Sequence, residues 1–129
     1  MDRLSPYVIV FLGAGVGGAA RHAMNTGLPK LFGGAYPWAT PIINISGSVA
    51  MGFLVGWLAF KAGMGWSQPV RLFVATGVLG GFTTFSTFSL ETVLLMERND
   101  FGAAFAYVFG SVLFGVIGLW AALALTRSF

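Results

Sequence analysis

Few residues in this chain are of types that could do chemistry, and most of those lie inside apolar sequence. The densest set is GGFTTFSTFS, residues 80–89, where glycines and hydroxyl residues alternate with Phe82, Phe85 and Phe88. A second set is Asn44, Ser46 and Ser48, with Thr40 four residues before Asn44; a third is Tyr107 and Ser111. A spacing of four puts Thr40 with Asn44, and Tyr107 with Ser111, on one helix face. These are hydrogen-bonding groups and rings, not acid–base or nucleophile pairs. No Ser–His–Asp grouping, Walker loop or pair of catalytic carboxylates occurs, and the glycines from Gly13 to Gly18 follow no strand that would make them a nucleotide loop. His22 is alone and cysteine is absent, which removes thiolate metal sites and disulfides. An enzyme is not expected.

The elements that must position these groups follow from composition. Hydrophobic residues make up 57% of the chain and charged residues 9%, against about 25% charged in ordinary globular proteins. Four acids and seven bases cannot clothe a water-facing surface, so the surroundings are a lipid bilayer. The net charge of +3 is spread over single bases, with no cluster that would bind nucleic acid. Four stretches approach the roughly 20 apolar residues of a membrane helix. They predict an all-α integral membrane protein with one domain over residues 1–129 and helices at about 7–24, 41–60, 72–96 and 101–126. The first stretch lacks a cleavage site after its apolar core and reads as a retained helix rather than a signal peptide. Pro29, Gly33, Gly34 and Pro37 mark a first loop, and Gly63, Gly65 and Pro69 a second. The third, at Arg98–Asn99–Asp100, is short enough to make helices three and four antiparallel neighbours. Small residues at packing intervals (Gly13 and Gly17; Ser48, Gly52 and Gly56; Ser111 and Gly115) let membrane helices approach closely.

Polar groups at membrane depth are costly and therefore mark function or interhelical bonding. Asn44 admits both readings: glue between helices, or donors facing a path. Gly77, Gly80 and Gly81, followed by Thr83 and Thr84, predict either close packing of an intact helix or a break near the middle of helix three. Carbonyls freed at such a break can coordinate a cation. Phe85 and Phe88 lie on one face, roughly 4.5 Å apart along the axis; they either pack or turn positive ring edges towards an anion. Tyr107 is an interfacial anchor or a path residue. Arg21 either snorkels or gathers anions at a pore mouth. Glu91, the one acid well inside an apolar run, either pairs with a base or reaches water.

Charge distribution bears on topology. The side of both termini carries Arg3, Lys61, Arg71 and Arg127; the other carries Arg21, Lys30 and Arg98. So small an excess fits a fixed orientation or insertion both ways with antiparallel pairing. Four helices leave little room for a path, so a transporting protein of this size is expected to be an oligomer, often twofold symmetric.

Together these residues resemble the Fluc (CrcB-like) fluoride channels. The resemblance spans the whole chain; its most specific part is GGFTTFSTFSLET, Gly80 to Thr92, supported by GGAARH in helix one, NISGS from Asn44, and Tyr107 with Ser111. It implies an antiparallel, dual-topology homodimer in the bacterial inner (plasma) membrane, with two pores that export fluoride passively and so protect against its toxicity. By motif position, Phe85 and Phe88 match the pore rings, Asn44 the pore asparagine and Thr40 a pore hydroxyl. Tyr107 and Ser111 match a polar track on helix four, and Arg21 matches a vestibule arginine. Gly80 and Thr83 match positions whose backbone carbonyls hold a structural Na⁺ between subunits. Three positions depart from the pattern. Phe82 replaces a leucine, and Gly115 and Leu119 stand where hydroxyls continue the track in some relatives. The alternative is a small multidrug-resistance-type dual-topology exporter, which should carry a carboxylate in helix one; here only Asp2 precedes that helix.

Overall fold

The computed structural model describes residues 3–34, 36–60 and 68–128. Lys61, Gly63 and Gly65 of the second loop lie outside the described residues. The elements are α1 (Ser5–Phe32), α2 (Ala39–Phe60), α3 (Arg71–Leu79), α4 (Gly80–Phe82), α5 (Phe85–Glu97) and α6 (Phe101–Ser128). Segments α3 to α5 form one stretch, Gln68–Glu97, so among the described residues four helical stretches are long and apolar enough to cross a membrane. The protein is an all-helical, multi-pass membrane protein.

α1 continues beyond Met24, where the apolar pattern weakens, to Phe32. Pro29 lies inside its last turns; it lacks an N–H, but its carbonyl accepts from Gly33 N at 2.8 Å, and Gly33 at φ 81° ends the helix. At 28 residues α1 is roughly 42 Å long, longer than a hydrocarbon core of about 30 Å. α3 is wound as a π-helix, a form found at functional sites. Between α4 and α5 the chain becomes extended, at Thr83 (φ −79°, ψ 156°) and Thr84 (φ −149°, ψ 116°). The third stretch is thus broken near its middle.

The small residues explain which helices pair. A Cβ on Gly13 would stand 2.9 Å from Gly77 Cα, and one on Gly17 would stand 2.8 Å from Phe82 N and inside contact distance of the Val78 carbonyl. α1 therefore lies backbone to backbone along α3 and α4. On the other side, a Cβ on Gly52 would meet Ala122 at 2.9 Å, one on Gly118 would meet Val49 at 2.8 Å, and one on Gly56 would collide with Thr126. In both pairs the contacts advance in the same direction along the two helices, so the paired helices run parallel. α5 and α6 are antiparallel, joined by a tight turn in which Asn99 takes φ 59° and Asp100 N donates to Leu95 O at 3.0 Å. Asp100 Oδ1 accepts from Ala103 N at 3.3 Å and caps α6.

Candidate functional site

The break is held from outside. Asn44, on α2, donates from Nδ2 to Thr84 O at 3.0 Å and accepts at Oδ1 from Thr84 N at 2.8 Å. An asparagine side chain presents the same donor–acceptor pair as a peptide unit, so it satisfies both backbone groups of one extended residue. Thr84 Oγ1 accepts from Thr87 N at 3.2 Å and caps the start of α5. Thr83 Oγ1 donates to Leu79 O at 3.0 Å. Arg21 Nε, on α1, donates to Gly81 O at 3.2 Å. Arg21 is half-buried and is spent on the break, a partner that sequence spacing does not reveal.

These bonds leave particular carbonyls released. In a continuous helix Thr84 N would donate to Gly80 O, and Thr87 N to Thr83 O. Here the first donates to Asn44 and the second to the Thr84 hydroxyl. Gly80 is exposed and Thr83 half-buried. A pair of released backbone oxygens is suitable ligand chemistry for a hard cation such as Na⁺.

The two rings have different surroundings. Phe88 stacks on Tyr107, with centroids 5.4 Å apart and planes at 20°, next to the buried Leu95 and Ala104. Phe85 is 79% exposed, and its ring lies 5.7 Å from that of Phe88. Phe85 also borders a cavity of about 330 Å³ with Asn44, Gly47, Ser48 and Thr83. Phe82 turns away from this pair: its ring covers Gly47, where a Cβ would approach Cδ2 to 3.2 Å.

Thr40 and Tyr107 are brought together by Glu91, for which the sequence suggests a base or water as partner. Thr40 Oγ1 donates to Glu91 Oε1 at 2.9 Å, and Tyr107 OH donates to Glu91 Oε2. Thr40 is fully buried and Tyr107 nearly so. Each hydroxyl has one proton, so neither can donate to an anion while it donates to Glu91. The sequence signals only that one acid in an apolar stretch needs donors; which hydroxyls supply them is set by the fold. Glu91 also borders a cavity of about 500 Å³ with Gly34, Pro37 and Arg98, and it faces the α1–α2 connection, where Tyr36 lies against Trp38 and Tyr107. Burial, helped by the charge of Asp100, pushes the Tyr36 phenol above its ordinary value, so it stays a neutral donor. Ser111 is buried one turn beyond Tyr107 and has no hydrogen-bond partner among the described residues. His22 is exposed.

Residues 8–123 match the family described as CrcB-like protein, Camphor Resistance (CrcB). The "Fluoride-specific ion channel FluC" of Methylobacterium nodulans is 57% identical over 122 residues, covering 95% of this chain and 96% of its own. "Fluoride-specific ion channel FluC 2" of Nitrobacter hamburgensis is 53% identical over 121 residues, covering 94% and 96%. A protein of the first of these names from Rhodopseudomonas palustris is 52% identical, covering 95% and 97%. With a match over nearly its whole length, and with the GGFTTFSTFS segment forming a broken helix clamped by Asn44, the chain belongs to the CrcB family.

Proposed function

We propose that this chain is a fluoride-specific ion channel that carries fluoride passively out of the cell across the bacterial inner membrane. The observation that carries the reading is its 57% identity, over 95% of its length, to a protein of that name. The site agrees in kind. Fluoride is small and strongly hydrated, so a path must replace its water with donors that let it leave again. Asn44 keeps one amide proton beyond its bond to Thr84 O. Phe85 and Phe88 offer ring edges, and the start of α5 adds the partial positive charge of a helix N-terminus. Ser111 adds a hydroxyl with no partner among the described residues, while Thr40 and Tyr107 donate to an anion when released from Glu91. Arg21 lies near the break as a vestibule charge. Among the described residues, no Lys or Arg lines the cavity that Phe85 borders. The exporter alternative gives way to family membership.

The channel is read as an antiparallel homodimer with two pores. Extended backbone and an exposed ring at membrane depth need cover from protein or water, and one protomer leaves Gly80, Phe85 and Ser86 uncovered. A second copy placed there covers them and doubles the released Gly80 and Thr83 carbonyls. Those four oxygens would hold a structural Na⁺, which supplies positive potential beside the path without entering it. The direct test is cellular. Expression in a bacterium stripped of its own fluoride export should restore growth in fluoride medium; growth no better than with an empty vector contradicts the reading.

A further inference from the structure

Ser111 is 8% exposed, and its hydroxyl has no partner among the described residues. A buried hydroxyl without a partner destabilises the fold, so its placement needs a reason. It borders a cavity of about 230 Å³ between α2 and α6, together with Ser48, Gly115 and Leu119. Gly115 brings no side chain to this space. Ser48 Oγ reaches it from α2, 3.6 Å from where a Cβ on Gly115 would stand. Ser48 also borders the larger cavity that contains Asn44, Thr84 and Phe85. It is the hydroxyl residue common to the two spaces.

We infer that Ser48 coordinates the permeating anion, linking the Asn44–Phe85 cavity to the Ser111 hydroxyl. The ligand class is a small, strongly hydrated anion, fluoride on the reading above, on which this inference rests. A neutral hydroxyl replaces a water of hydration without the grip of a fixed charge. Because α6 offers only Gly115 and Leu119 beyond Ser111, the donor at this depth comes from α2, and the path crosses between helices.

The test is fluoride efflux from liposomes containing the full-length protein, followed with a fluoride electrode. Ser48→Ala should slow efflux about tenfold, the effect of losing one donor, with unchanged elution on size exclusion. Adding Gly115→Ser to Ser48→Ala should restore most of the rate, since a Cβ at Gly115 meets only an ordinary contact and its hydroxyl enters the same cavity. Wild-type efflux with an equally fast Ser48→Ala overturns the role of Ser48 and leaves fluoride conduction standing. A slow Ser48→Ala that the second substitution does not restore overturns it too, making Ser48 a packing residue. Wild-type protein that releases no fluoride overturns both.

Discussion

At the residue scale, the site depends on Asn44 acting as a substitute peptide for Thr84. Asn44→Ala removes two hydrogen bonds and leaves the N–H and carbonyl of Thr84 without their partner. It should cost about 1–3 kcal/mol for each buried group left unpaired, seen as a lower unfolding temperature in detergent. Phe85 and Phe88 should separate by measurement. Both changes to Ile should abolish fluoride efflux, because a branched alkyl group has no positive edge. Phe85→Ile should leave the stability of the single chain nearly unchanged, since the ring is exposed, whereas Phe88→Ile also loses its stack on Tyr107, worth about 0.5–1.5 kcal/mol. The pairing of these rings could be read from their spacing of three. The Glu91 cluster could not, because Thr40 and Tyr107 lie 51 and 16 residues away and only the folded helices bring them to one carboxylate.

At the element scale, glycines decide which helices touch. Gly17→Val places side chain where the Val78 carbonyl and Phe82 N stand, both backbone and unable to yield cheaply. It should prevent α1 from docking on α3 and α4, leaving little folded protein after extraction. Gly102→Ala meets nothing within 4 Å on the exposed start of α6 and should be tolerated or slightly stabilising, within about 1 kcal/mol. The existence of four apolar helices was legible because length and hydropathy are local properties. The break was legible as one of two readings, since the glycines and paired threonines fit an intact, tightly packed helix as well. What decided it was Asn44, forty residues away. The end of α1 was not legible: Pro29 and Gly33 look like turn residues, yet a proline in a last turn loses only one bond and the helix runs on to Phe32.

At the scale of the whole molecule, the paired helices run parallel and leave Gly80, Phe85 and Ser86 of the broken stretch exposed. Covering that face with an inverted copy predicts both orientations in one membrane. Reporters fused to the C-terminus should register on both sides in comparable amounts; a signal from one side alone contradicts the antiparallel dimer. The charge tally of four bases against three allowed this arrangement without selecting it. The most direct measurement is fluoride release from liposomes reconstituted with the purified chain. Fluoride conduction predicts rapid efflux once the electrical potential is shunted, with chloride retained. Release no faster than from protein-free vesicles would contradict it.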